Sequence, residues 1–263
     1  MFLRNPLAWH KQYVEKVYDY PKSPASIIGS AGHVALQHFY SGLSKPAAVE
    51  LGLEYIRRIA DFEIDFGKAV RDREKKERRR SIEEDYQRAI GFYLARAPRY
   101  TVLGVEIAAV AKVKGLPLPL KAVSDLVVES KSTKGAVDII DHKFVEAFTP
   151  RGSDKPLFIL QALFNYYTVQ AEFKKPVRYC FFQECKKTRN RDGSSQMRRH
   201  VIDFATFNDE FEFFHRLVQD ATHELARNRK YLPNPSDLFD GKNSLDIYRL
   251  ELGSSFGEQG VDE

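Results

Sequence analysis

At Pro98 the chain changes period. Upstream, apolar residues recur three and four apart, as helices require. Downstream, YTVLGVEIAAVAKV, LKAVSDLVVES and GAVDIIDHKF alternate or run in β-branched blocks, separated by GLPLP and KSTKG. Three such segments with short connections predict an antiparallel meander. Helical spacing returns in FILQALFNYYTVQAEF, and PVRYCFFQECKK reads as another strand. RNRDGSSQ is a polar turn into MRRHVIDF, and DEFEFFHRLVQDATHELARNR is a long amphipathic helix. Strands interleaved with helices predict an α/β fold.

The first 97 residues read as a helical region. Leu3, Leu7, Tyr13, Val14 and Val17 predict a short helix, with Pro6 in its first turn. Pro21 and Pro24 precede a second helix whose stripe is Ile28, Ala31, Ala35, Leu36 and Phe39. From Pro46 to Arg96 the spacing stays helical. Seven basic residues, Arg71, Arg73, Lys75, Lys76, Arg78, Arg79 and Arg80, are interrupted by Asp72, Glu74 and Glu77. This run is either a solvated face laced with ion pairs or a contact for a phosphate backbone. The expected organisation is a helical region over 1–97, a sheet-bearing core over 98–230 and a tail over 231–263, within one structural domain.

Composition excludes little and demands no particular partner. Apolar residues at 43% and aromatics at 13% suit a folded protein rather than a disordered one. The 41 Lys and Arg against 36 Asp and Glu give +5, which suits a polyanionic partner. Two cysteines, Cys180 and Cys185, are too few for a disulfide framework and point to a reducing compartment. The charged N-terminus lacks the apolar run of a signal peptide, so a cytoplasmic protein is expected. No Walker-type phosphate loop is present, so any ATP-driven unwinding belongs to a separate helicase or recombination partner.

The segment that carries chemistry is VDIIDHKF, residues 137–144. Asp141 and Lys143 lie two apart on a strand and so share a face, while His142 points the other way. A carboxylate can hold a divalent cation while the neighbouring ammonium orients water or steadies charge on a phosphorane. Alone, Asp-x-Lys is more often a surface ion pair. Asp125, sixteen residues earlier at the end of AVSD, supplies a second carboxylate from the adjacent strand. Hard cations need such oxygen ligands. Glu106 interrupts the apolar VLGVEIAAV; it either pairs with Lys112 or Lys121 or belongs to the site.

These residues resemble the PD-(D/E)XK nuclease superfamily, and within it the RecB-type branch that includes CRISPR adaptation nucleases and phage and bacterial exonucleases. NPLAWHKQY resembles the branch's opening segment and GSAGHVALQHF its Gly-x-x-x-His helix. GVEIA resembles its strand glutamate, AVSDLVV its metal aspartate, DIIDHKF its Asp-x-Lys core, and FILQALFNYY its glutamine and tyrosine helix. The resemblance implies a restriction-endonuclease-like core, a small mixed central sheet flanked by helices. It implies His33, Asp125, Asp141 and the backbone carbonyl of His142 as metal ligands, with Glu106, Asp125, Asp141 and Lys143 catalytic. Gln161 and Tyr166 would sit beside DNA or support the core, and Arg78 and Arg79 would meet phosphates. The cofactor implied is Mg²⁺ or Mn²⁺. The reaction implied is hydrolysis of DNA, single-stranded or at duplex ends, by activated water, as an exonuclease in recombination, repair or phage DNA processing.

The chain departs from the pattern in places. Ala122 stands where the family has glycine three residues before the aspartate, and Asn165 where its tyrosine follows Gln161 by four. Asn5 occupies the place of the first cysteine of the branch's iron–sulfur cluster, and YLPNPSDLFDGKNSLDIYRLE resembles its closing segment without a cysteine. Four thiolates are required, so no cluster is expected. The rival reading is an inactive nuclease-like subunit that only binds DNA or protein. His200, His215 and His223 have no ligand spacing, and Phe211, Phe213, Phe214 and Leu217 read as core residues of the last helix.

Overall fold

The computed structural model describes residues 5–16, 21–150, 156–227 and 230–232. They divide into two compact units, residues 1–21 with 220–263, and residues 22–219.

In the smaller unit Asn5 caps α1 (Pro6–Trp9), its side chain accepting from the Ala8 amide at 3.0 Å. The expected short helix then widens into a π-helical turn over His10–Val14, closed by Glu15 N–H donating to His10 at 3.0 Å. Glu15 faces both His10 and Lys11, at 2.9 and 2.8 Å, which holds that turn. Leu7 and Ala8 are buried with Tyr231 packed on them. Most of the expected tail, including the segment compared with the iron–sulfur closing motif, lies outside the described residues.

The larger unit holds the sheet together with the helices that precede it. α2 (Pro24–Tyr40) starts where Ser23 caps the Ser26 amide and Pro24 takes the first turn. α3 (Lys45–Arg58) starts the same way at Ser44. α4 (Asp72–Ala95) is initiated by Glu74, whose carboxylate accepts the Val70 and Arg71 amides at 3.1 and 3.2 Å. The continuous helical stretch expected from Pro46 to Arg96 is therefore two helices, parted by an irregular segment with a single 3-10 turn at Asp61–Glu63. The three helices bury a common core of Ile27, Leu36, Ile56, Ile82, Tyr86 and Ile90.

The sheet has five strands in sequence order: β1 (Val102–Ala111), β2 (Leu120–Glu129), β3 (Val137–Val145), β4 (Val177–Lys186) and β5 (Met197–Asp203). β1, β2 and β3 form the expected antiparallel meander. β4 runs parallel to β3 because α5 (Pro156–Phe173) carries the chain back, and β5 returns antiparallel, so the sheet is mixed.

Side-chain alternation sorts the two faces. Val127, Val137, Ile139 and Phe182 pack with Ala162, Leu163 and Val169 of α5. Leu126, Val128 and Ile140 face the other way, against Tyr40 of α2 and Tyr100. α6 (Asp209–Ala226) contributes Phe214, buried edge-on against Phe164 at 5.0 Å. Phe213, expected in the core, is 76% exposed, because its neighbour Phe214 takes the inward face.

Candidate active site

The β2–β3 ladder ends at the pair Leu126 and Ile140. One residue beyond, at Asp125 and Asp141, the strands part. There the backbone N–H of His142, no longer engaged by a β2 carbonyl, donates to Asp125 Oδ2 at 2.8 Å. In a strand the N–H and C=O of one residue point to the same side, so the His142 carbonyl also faces this gap.

Three further elements, β1, α2 and α5, converge on the fork. Glu106 of β1 lies in register opposite Asp125, between the pairs Val105–Leu126 and Ile107–Ser124. Its φ of 51° is left-handed, a conformation costly for a residue with a Cβ and one that clusters at functional sites. From α2, His33 Nδ1 comes to 3.3 Å from Asp125 Oδ2. Donor atoms of His33, Glu106 and Asp125 all lie within 4.8 Å of one another. On the α5 side, Lys143 Nζ stands 2.6 Å from Asp141 Oδ1 and 3.1 Å from Gln161 Oε1. Gln161 Nε2 in turn donates to Asp141 Oδ2, so one amide braces both partners of the ion pair. Glu106 meets neither Lys112 nor Lys121; it belongs to the fork.

Gly32 lets His33 reach that far. A Cβ there would lie 2.1 Å from the Phe144 ring, so α2 crosses β3 at a distance only glycine permits. Gly29, the glycine of the Gly-x-x-x-His pattern, has open space where its Cβ would stand. Behind the fork, the His142 ring stacks on Tyr40 at 5.6 Å, and its Nδ1 lies 3.0 Å from Tyr93 Oη. Tyr93 also meets Tyr40 Oη at 3.2 Å. This aromatic backing, which no spacing in the sequence announces, fixes the strand from which the amide reaches Asp125.

Electrostatics follow from depth. Burial, and then the charge of Asp125, pushes the Asp141 carboxyl up to about 6 against the pull of Lys143. Burial and Asp125 likewise raise Glu106. For Asp125, burial is outweighed by the hydrogen bond and charge of His33, then by His142, and its carboxyl falls below the ordinary range. Burial disfavours the His33 cation, yet Asp125 and then Asp141 overcome it and raise the imidazole. Complete burial brings His142 down to about 4, so it is neutral at pH 7.

Other expected residues stand elsewhere. Tyr166 packs against Phe204 and Phe211 at 4.8 and 4.9 Å, so it supports the core. Asn165, in the family's tyrosine position, is buried. Arg79 turns inward: its guanidinium binds Asp61 at 2.6 Å and the carbonyls of Ile56 and Ile59 at 3.2 and 2.6 Å. The segment it holds links α3 to α4, so its charge is spent on structure rather than left for phosphate. Arg78 is exposed, while Arg73 and Arg80 pair with Glu77 and Glu84 along the helix. Sequence reasoning passed over Glu184 of β4. It is fully buried in register beside Lys143, and it accepts from the Thr149 backbone at 2.9 Å and from the Thr149 hydroxyl.

The model of the PD-(D/E)XK nuclease superfamily matches residues 1–238. The chain belongs to that superfamily. No curated protein matches it. The crystal structure of SSO0001 aligns with 93% of this chain and 90% of its own at 12% identity and a TM-score of 0.38, a likeness too loose to carry a conclusion. The five-stranded mixed sheet with flanking helices is consistent with the restriction-endonuclease-like core of PD-(D/E)XK nucleases. Members of the superfamily are nucleases that use divalent metals, and the donor set here fits one: two carboxylates and an imidazole within reach of a common centre. No helix among the described residues is long and apolar enough to cross a membrane.

Proposed function

We propose that this PD-(D/E)XK protein is a DNA exonuclease of the RecB-type branch, acting on single strands or duplex ends. The observation that carries the reading is the Asp141–Lys143–Gln161 triangle, set beside Asp125 at the point where the two strands diverge.

Asp125, Asp141, Glu106 and His33 would hold the ion, with the His142 carbonyl turned toward the same gap. Bound Mg²⁺ or Mn²⁺ supplies Lewis-acid polarisation of the phosphate and lowers the pKa of a coordinated water. Lys143 places a fixed cation beside the carboxylates, where it balances charge gathering on the phosphorane and orients the water that attacks. Gln161 keeps that ammonium from wandering. The phosphates along the strand meet exposed cations such as Arg78, Arg189 and Arg191.

The test is digestion of end-labelled single-stranded and duplex DNA with Mg²⁺, with Mn²⁺ and with EDTA. The expected result is metal-dependent shortening from one labelled end. DNA retention without cleavage under either metal would instead assign the chain to an inactive binding subunit.

A further inference from the structure

A second recess opens away from the catalytic fork, and no step of hydrolysis uses it. It encloses about 190 Å³ between the start of β3, β4 and the segment that precedes β1. That is room for roughly six waters at about 30 Å³ each, enough for one planar ring system and too little for a base pair.

Its walls are unusual for a leftover gap. Tyr100, Tyr179 and Phe181 present aromatic rings to it, the last two 5.4 Å apart. Arg199 lies over the Phe181 ring at 5.2 Å, with its guanidinium fixed by the Tyr100 hydroxyl and Gln183 Oε1, each at 3.0 Å. Asp138 lines the recess with only 6% of its surface exposed; its carboxyl accepts from the Ser130 hydroxyl and the Tyr179 backbone N–H, yet its Oδ1 has no hydrogen-bond partner. A buried carboxyl oxygen left unpaired is costly, and such a position is a ready acceptor for a ligand N–H. Lys131 is an exposed cation that lines the same recess.

These features select one chemistry. A flat ring satisfies the aromatic and guanidinium faces, an N–H on its edge satisfies Asp138, and an anionic group suits Lys131. A nucleotide has all three. We infer that this recess is a nucleotide-binding pocket that takes a single unstacked base, stacked beside Tyr179 and Phe181, with its N–H edge on Asp138 and its phosphate toward Lys131. The inference rests on the reading of the chain as a DNA nuclease. In that setting the pocket captures one base of the strand away from the scissile bond, or a released mononucleotide.

The test is equilibrium binding of deoxyguanosine monophosphate, whose base offers adjacent N–H donors, to the full chain in EDTA. The Lys143→Ala chain should bind as wild type does. Asp138→Asn and Tyr179→Leu should each weaken binding about tenfold or more, by loss of the charged acceptor or of a stacking face. Melting curves identify any variant that fails to fold, and the other then decides. A single-stranded oligonucleotide that displaces the mononucleotide identifies the strand as the source. Failure to displace identifies the free product.

Binding of deoxyribose phosphate as tight as that of the nucleotide would overturn the inference, since only phosphate would then be recognised. So would DNA cleavage by a protein that binds no nucleotide in EDTA, an outcome that leaves the nuclease reading standing. Nucleotide binding without cleavage under any metal would do the reverse.

Discussion

The backbone amide of His142 donates to Asp125 Oδ2 at 2.8 Å, across the point where β2 and β3 cease to pair. A ladder hydrogen bond is thus replaced by one to a side chain, and the carboxylate is aimed before any ligand arrives. With Asp141 one residue before His142 and Lys143 one after, the aim of the whole site depends on where that ladder stops.

Lys143 is the side chain whose loss should separate chemistry from folding. It is partly exposed, and its pairing with Asp141 and Gln161 is local. Lys143→Ala should lower the cleavage rate about 10²–10³-fold, the scale for removing one charge-stabilising group, with little change in melting temperature. Undiminished single-turnover cleavage would remove Lys143 from the mechanism.

Gln161→Leu tests positioning rather than charge. Without the amide, Lys143 and Asp141 keep their ion pair but lose the brace that fixes its direction. The turnover rate should fall about tenfold while DNA affinity holds, as expected for a group acting through another. An equal rise in KM with no change in kcat would mean that Gln161 contacts DNA instead.

Cation affinity should rise with pH. Asp141 is pushed up to about 6, Glu106 is raised, and His33 also keeps its proton to higher pH than a free imidazole. All three must be deprotonated to serve as ligands, so Mn²⁺ affinity should drop by about a decade or more per pH unit below pH 6, with proton release on binding. Calorimetry in two buffers of different ionisation enthalpy reads that release directly. Without cation, the Asp141 shift acts on stability with the opposite sense. The folded carboxyl has a pKa of about 6 against its ordinary 3.8, so its contribution is greatest below the ordinary value and is lost as pH rises through about 6. Asp125, held low, works the other way.

What the sequence disclosed, and what it withheld, divides along one physical line. The meander, the strand–helix–strand return and the fork acids were legible because a period or an acid among Val and Ile constrains its own neighbourhood. Tyr40, Tyr93 and Arg79 were not legible as supports, since the hydrogen-bond partners of their side chains lie at least 18 residues away and nothing local fixes them. Arg78 and Arg79 look alike in the sequence, and only the position of the α3–α4 link sends one inward. The close approach of α2 to β3 was hidden for a similar reason. Gly29 sits at the expected spacing from His33, yet the close approach to Phe144 falls at Gly32.

Arg78 and Arg79 should therefore separate cleanly on substitution. Arg78→Ala should weaken DNA binding and flatten its dependence on salt by about one unit of log–log slope, with stability unchanged. Arg79→Ala should lower stability by about 1–3 kcal/mol, because the carbonyls of Ile56 and Ile59 lose their donor. Nitrocellulose retention across a salt series and urea unfolding measure the two effects. An Arg79 variant that melts like wild type but binds DNA poorly would return that residue to the phosphate surface.

Gly32→Ala should damage the site from outside it. The added methyl meets the Phe144 ring, and α2 must move away from β3, carrying His33 from Asp125. The helix gains about 1 kcal/mol of propensity from alanine while the overpacking costs about 1–3 kcal/mol, so stability should fall by about 0–2 kcal/mol. Metal affinity falls as well, because a ligand displaced by a fraction of an ångström no longer shares a centre with the carboxylates. Phe144→Leu in the same chain makes room for the methyl and should restore part of the Mn²⁺ affinity. That non-additivity is expected only of residues in contact. A double variant no better than Gly32→Ala alone would show that α2 does not set the reach of His33.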